Sequence, residues 1–209
     1  MHQAVQRESK AARECAGILD ASTLGKIDIQ GTDASEFLNR VYTNAWSKLA
    51  VGKCRYGLML NEDGMVYDDG VTSWLDENHY IMTTTTGGAA NVLGKLEDYL
   101  QTEWPELDVY LTTVTDHFST ISICGPNSKK LLSKVIPDLD ISDEKFPHMS
   151  FKNSIINGIK CRVMRISFTG EHSYEINIQS NYAKHVWEMC MDAGKNYNIT
   201  PYGTELCTY

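Results

Sequence analysis

Two consecutive carboxylates, Asp68 and Asp69, sit inside a stretch, Met65 to Trp74, that otherwise has the composition of a β-strand. Strands deplete Asp because its side chain competes for backbone hydrogen bonds and packs poorly on a pleated surface. Breaks of this kind are expected where a site is being built. Successive strand residues point to opposite faces, so Asp68 and Asp69 cannot share one. Either one of them looks into the interior or a pocket, or the strand is a sheet edge, or a bend at Gly70 swings both into water. Which of the two faces a site, the strand pattern alone leaves open.

A second pair of carboxylates, Glu171 and Glu175, flanks a turn that follows Ser167-Phe168-Thr169-Gly170. With Tyr174 and Ile176 on one face of the next strand, Glu175 occupies the other, where it needs a donor or water. A buried carboxylate accepts two hydrogen bonds side by side, which suits a guanidinium or the N–C–N edge of a ligand; an exposed sheet face is the alternative. His172 beside it reads as a turn residue. Cys54 and Cys124 lack a neighbouring base that would make either thiol a nucleophile. Thr85-Thr86-Gly87-Gly88-Ala89-Ala90 is small enough for close backbone approach, but its spacing fits no phosphate-binding loop and reads as a strand-to-helix turn.

The elements that must position these groups follow from periodicity. Asp68 and Asp69 lie on the return strand of a hairpin whose first strand is Tyr56 to Leu60 and whose turn is Asn61-Glu62-Asp63-Gly64. Met1 to Cys15 reads as a helix stopped by Gly17, and Ile18 to Ser22 as a lead-in to the strand Leu24 to Gln30. Thr32 or Asp33 caps a helix through Val41, and Tyr42 to Val51 is a loop holding Trp46. His79 to Thr84 is a strand, and Asn91 to Trp104 a helix whose Val92, Leu93, Leu96, Tyr99 and Leu100 face inward. Val109 to Val114 and Phe118 to Cys124 are strands, and Lys129 to Val135 is a helix. Phe151 to Ile156 and Ile159 to Ser167 form a hairpin around Asn157-Gly158. Tyr174 to Ile178 is a strand and Tyr182 to Ala193 a helix. At the far end, Thr200-Pro201 is placed as a helix N-cap and first turn, so a helix is expected to start there, in a piece of a longer protein. Hairpins interleaved with helices favour an α+β fold with mixed and antiparallel sheets and flanking helices over a doubly wound parallel sheet.

Composition limits the partners. The chain has 209 residues and a formal net charge of −8. No run of Lys or Arg offers the concentrated positive face that nucleic acid or an anionic membrane needs. No apolar run approaches the roughly 20 residues of a membrane helix. The six cysteines, at 15, 54, 124, 161, 190 and 207, form no C-x-x-C pair. They fit neither a zinc site nor a disulfide framework and, without a signal peptide, read as reduced thiols of a cytoplasmic protein. No G-x-G-x-x-G follows a strand, so nothing here reads as a flavin or dinucleotide site.

Five segments together resemble the folate-binding family of the glycine cleavage T-protein (aminomethyltransferase), which includes the aminomethyltransferase-like portion of sarcosine oxidase α subunits. They are Gly17 to Ile27, Phe37 to Asn44, Gly64 to Val71, Gln101 to Leu107 and Ser167 to Glu171. The Gly-x-x-x-Asp-Asp strand and the Thr-Gly-Glu segment are family-wide; Asp20 to Lys26 and Gln101 to Leu107 point to the sarcosine oxidase branch. The resemblance implies one T-protein-like domain, with subdomains at 1–30 plus 115–209 and at 31–114, and without the C-terminal barrel. It also implies tetrahydrofolate as cofactor, with flavin and NAD only on other parts of the enzyme, and other oxidase subunits as partners. By the same resemblance Asp69 is the catalytic residue beside the folate N5/N10 region. Glu175 pairs with the pterin's amino-pyrimidine edge, Tyr56 lines the cavity, and Phe168, Glu171 and Thr85 complete the cofactor contacts. Phe168 stands where many T-proteins have Tyr, and Thr85 near where they often carry Asn.

Overall fold

A computed structural model describes residues 2–205. Met1, the first residue of the expected N-terminal helix, and Cys207 lie outside the described residues. In chain order the elements begin with α1 (His2–Glu14), β1 (Ala16–Asp20), β2 (Gly25–Gln30) and α2 (Ala34–Val41). There follow β3 (Cys54–Leu60), β4 (Val66–Asp76), β5 (His79–Thr84), α3 (Ala89–Asp98) and β6 (Tyr110–Thr113). The remainder is β7 (Phe118–Cys124), α4 (Ser128–Val135), β8 (Ser150–Ile156), β9 (Ile159–Arg165), β10 (Ser173–Gln179), α5 (Ala183–Gly194) and β11 (Ile199–Pro201). The fold is α+β, with two mainly antiparallel sheets and flanking helices.

The chain divides into two units, residues 1–22 with 117–209 and residues 23–116. The division expected after residue 30 therefore falls earlier, after Ser22. The reason is β2, which pairs with β5 and β6 of the second unit's sheet.

The first unit holds a six-stranded sheet in the order β11-β1-β7-β10-β9-β8. Period-2 alternation sorts β10 cleanly. Tyr174, Ile176 and Ile178 pack with Ile121 and Ile123 of β7 against Leu131, Leu132 and Val135 of α4 and Val186 and Cys190 of α5. Ser173, Glu175 and Asn177 take the opposite face, beside Cys124, Ser122 and Thr120 of β7. All six are buried, so this face is a polar layer rather than a wetted one. Asn157 and Gly158 adopt φ of 48° and 81°, the left-handed pair that closes a tight hairpin between β8 and β9.

Two terminal expectations are corrected. Ala16 to Asp20 is a strand, not a lead-in, and Ile199 to Pro201 is a strand rather than a helix start. β11 runs parallel to β1, with Ala16 opposite Ile199, and the Tyr202 amide donates to the Ile18 carbonyl. Pro201 lies on the sheet's edge, the position where a residue without an N–H is tolerated.

The second unit holds a five-stranded sheet in the order β3-β4-β5-β2-β6. One face packs Ile27, Ile29, Met59, Tyr80 and Met82 against Phe37 and Leu38 of α2, Val92 and Leu96 of α3, and Trp46. Trp46 is fully buried, with its amide held by Asn39 Oδ1 at 2.6 Å, so the expected loop is anchored by a core residue. The helix expected to reach Trp104 leaves α-geometry at Tyr99 and continues to Glu103 as a wider π-turn, which brings Trp104 edge-on to Phe37.

Candidate functional site

The β3–β4 hairpin sets the first group of site residues. Asn61 to Gly64 closes it, with the Asn61 amide donating to Met65 O at 2.8 Å and Gly64 at φ 78°. Met59 pairs with Asp68, Leu58 with Asp69 and Tyr56 with Val71. Pairing puts Asp68 on the helix-covered face with Met59 and Asp69 on the other with Leu58 and Tyr56.

The two aspartates have separate surroundings. Asp68 is 4% exposed. Its Oδ1 accepts the Thr85 hydroxyl at 2.5 Å and its Oδ2 the Thr85 amide at 3.2 Å, so it ties β4 to the turn between β5 and α3. The Thr85 hydroxyl in turn accepts the Gly88 amide at 3.1 Å. A Cβ at Gly88 would lie 2.6 Å from Asp68 Oδ1, which explains the glycine. Burial pushes the Asp68 carboxyl above its ordinary value, the Thr85 bonds pull it back, and the Asp69 charge adds to the rise. Asp69 is half-buried and accepts the Tyr56 hydroxyl on Oδ2 at 2.9 Å. Its Oδ1 has no hydrogen-bond partner among the described residues. Partial burial, then the bond to Asp69, raises the Tyr56 hydroxyl above its ordinary value, so it stays a donor.

The second group belongs to the other unit. Glu175 is 7% exposed in β10, opposite Ser122 of β7 and Met164 of β9 on the polar face. Glu171 Oε1 accepts Arg13 Nη1 at 2.8 Å, and the same nitrogen donates to Thr169 O at 2.7 Å. Arg13 of α1 thus clamps the Thr169–Glu171 turn, a contact across 158 residues with no local sequence signal. Phe168, in the same turn, is 53% exposed. His172 Nε2 lies 2.9 Å from the Tyr174 hydroxyl, and burial followed by the Arg165 charge lowers its proton affinity, as suits a structural histidine. The structure therefore joins Tyr56 to Asp69, Thr85 to Asp68 and Glu171 to Arg13; Glu175 and Phe168 lie in the first unit, Asp69, Tyr56 and Thr85 in the second.

Chemically, the hairpin offers a positioned carboxylate acceptor with one oxygen clamped and one open, and β10 offers a second, buried carboxylate. Among the described residues no group of three or more His, Cys, Asp and Glu could hold a metal ion. The open Asp69 Oδ1 can accept from an N–H or O–H donor.

This two-sheet α+β fold is shared by aminomethyltransferases: that of the glycine cleavage system of Bartonella henselae superposes with a TM-score of 0.81 at 21% identity, over 97% of this chain and 52% of that one. The family model of the GCVT N-terminal domain matches residues 1–208, and the chain belongs to that family. It is 54% identical to the sarcosine oxidase α subunit of Corynebacterium sp. (strain P-1), over 98% of this chain and 21% of that protein. It is 33% identical to the aminomethyltransferase of Thermoanaerobacter sp. (strain X514), over 96% of this chain and 53% of that protein. The chain thus spans about a fifth of the sarcosine oxidase relative and about half of the aminomethyltransferase.

Proposed function

We propose that the chain is a folate-binding, one-carbon transfer module of a sarcosine oxidase, moving the methylene of oxidised sarcosine to tetrahydrofolate to give 5,10-methylenetetrahydrofolate and glycine. The supporting observation is the division of labour in β4. Asp68 is committed to Thr85, whereas Asp69 keeps Oδ1 open beside the Tyr56 hydroxyl that fixes its other oxygen. When bound, tetrahydrofolate supplies the nitrogens that take up the one-carbon unit. Asp69 would hold the receiving nitrogen, favour positive charge developing beside it and accept its proton. Tyr56 keeps that carboxylate in one orientation. Glu175 would accept side by side from the pterin's N–C–N edge, a pairing that burial strengthens. Glu171 would act through Arg13 by fixing the turn that presents Phe168, and Thr85 through Asp68 by fixing the start of α3.

Higher identity to sarcosine oxidase α subunits than to aminomethyltransferases favours the oxidase setting. In that setting flavin and NAD belong to other segments, and the other oxidase subunits are partners. A free-standing glycine cleavage aminomethyltransferase, or a folate-binding module without catalysis, is the alternative. The deciding experiment uses the complete assembled enzyme carrying Asp69→Asn. Sarcosine oxidation is expected to persist while 5,10-methylenetetrahydrofolate yield drops at least about tenfold and free formaldehyde rises, a loss of about 1.4 kcal/mol of transition-state stabilisation. An unchanged methylenetetrahydrofolate yield refutes the role of Asp69. Aminomethyl transfer from a lipoyl carrier at a rate matching oxidation would establish the alternative.

A further inference from the structure

A one-residue irregularity beside Asp69 decides which carboxylate the β3–β4 hairpin presents. Met59 pairs with Asp68 and Leu60 with Val66, so Tyr67 stands outside the ladder as the extra residue of a bulge. If the turn kept Leu60 opposite Val66 and Tyr67 entered the ladder, Met59 would face Tyr67 and Leu58 would face Asp68. The two carboxylates would then exchange faces. Whatever holds Tyr67 out of the ladder therefore selects the aspartate that stands beside Tyr56.

Lys95 of α3 is the side chain placed to do so. Its ammonium lies 4.3 Å from the Tyr67 ring centre and 5.7 Å from that of Tyr99. The same ammonium donates to Asn61 Oδ1 at 3.1 Å. Asn61 closes the hairpin turn: its amide donates to Met65 O at 2.8 Å, and its carbonyl accepts the Gly64 amide at 2.9 Å. One cation thus grips both the bulged residue and the turn that sets the register. Glu62 and Asp63 line the same hollow, yet Lys95 makes no ion pair among the described residues, so its charge acts on the rings. The helix that carries it is tied to β4 a second time, by the Thr85 hydroxyl and amide on Asp68. α3 therefore braces Tyr67 and Asp68, the two residues that precede Asp69.

We propose that Lys95 is a positioning residue for the one-carbon transfer: set over Tyr67 and on Asn61, it holds the bulge that turns Asp69 to the Tyr56 face. This role rests on Asp69 receiving the folate nitrogen, as proposed above. It is exerted through β4, without a hydrogen bond from Lys95 to either aspartate.

The test is a double-mutant cycle in the complete assembled enzyme with Lys95→Met and Asp69→Asn, and Lys95→Arg as the conservative variant. The rate of 5,10-methylenetetrahydrofolate formation is measured against sarcosine oxidation in the same reaction. Lys95→Met is expected to lower kcat for methylene transfer about threefold to tenfold, as loss of one cation–π contact and one hydrogen bond implies. The KM for tetrahydrofolate should stay within about twofold of parent, because no ligand contact is removed. Lys95→Arg keeps a cation for the ring and donors for Asn61, and should restore the rate to within about twofold of parent. In the Asp69→Asn background, Lys95→Met should change the residual rate by less than about 1.5-fold, because the group it positions is gone. Should Lys95→Met fail to fold by circular dichroism, Tyr67→Leu, which removes the ring beneath the cation, enters the same cycle and decides. An unchanged rate in Lys95→Met, an equal loss in both Asp69 backgrounds, or no recovery in Lys95→Arg overturns the role of Lys95. An unchanged rate in Asp69→Asn alone refutes the reading of Asp69 and removes the role of Lys95 with it, an outcome that no result at Lys95 imitates.

Discussion

Replacing each of the adjacent aspartates by alanine should damage different properties. Asp68→Ala removes the acceptor of the Thr85 amide at 3.2 Å and of the Thr85 hydroxyl at 2.5 Å, at a position that is 4% exposed. The hydroxyl can turn to water because Thr85 is itself exposed, so the lasting loss is the amide's bond to a charged acceptor. Such bonds contribute about 1.5–3 kcal/mol. Part is offset because burial already disfavours the charged carboxylate, as its raised proton affinity shows. A net loss of about 2 kcal/mol remains, or about 4–8 °C in Tm for a chain of this length. Asp69→Ala removes one bond from Tyr56, which is 49% exposed, and exposed pairs of this kind contribute about 0.2–1 kcal/mol. Its Tm should move by no more than about 4 °C. Urea unfolding followed by circular dichroism, with thermal melts in parallel, measures both. Equal losses for the two variants, or an Asp68→Ala loss below about 0.5 kcal/mol, would show that the carboxylates do not divide the work as their hydrogen bonds indicate.

Two further outcomes follow from proton affinities. The folded Asp68 carboxyl binds its proton more tightly than the ordinary value of 3.8, chiefly through burial, so its contribution to stability is fully present below 3.8 and declines as pH rises through the raised value. Asp68→Asn lacks that decline, so the stability of the parent minus that of Asp68→Asn should shrink from acid to neutral pH; a difference that grows refutes it. Burial pushes the Cys161 thiol up to about 11 and the Cys190 thiol up to about 12, so both should resist iodoacetamide at pH 8 until denaturant is added. Mass spectrometry showing either alkylated in the native protein as fast as the partly exposed Cys15 contradicts that burial.

Elements carried by local pattern were legible, and those carried by distant pairing were not. The Asn157-Gly158 hairpin and the alternation of Tyr174, Ile176 and Ile178 needed only neighbouring residues. β1 was misread because Gly17 looks like a helix stop. In the structure Gly17 is a strand residue with no room for a side chain, since a Cβ there would lie 2.8 Å from the Tyr202 ring and 2.9 Å from Cys124 Sγ. β11 was misread because Thr200-Pro201 has the chemistry of a helix start. The competing interaction is the pairing of Ile199 with Ala16, across most of the chain, and a local window cannot contain it.

The same distinction applies within the site. That Asp68-Asp69 breaks a strand rule is a local fact, and it was enough to find the hairpin. Which carboxylate is occupied depends on partners 17 residues away for Asp68 and 13 away for Asp69. It depends also on register, since a slip of one residue would exchange the faces of the pair. The irregularity that fixes register sits directly beside them: Met59 pairs with Asp68 but Leu60 with Val66, which leaves Tyr67 as the extra residue of a bulge. Lys95 covers that bulged tyrosine, 4.3 Å above its ring, while donating to Asn61 Oδ1 of the turn at 3.1 Å. One α3 side chain thereby ties the hairpin turn to its bulge, and the bulge is what directs Asp69, rather than Asp68, away from the core.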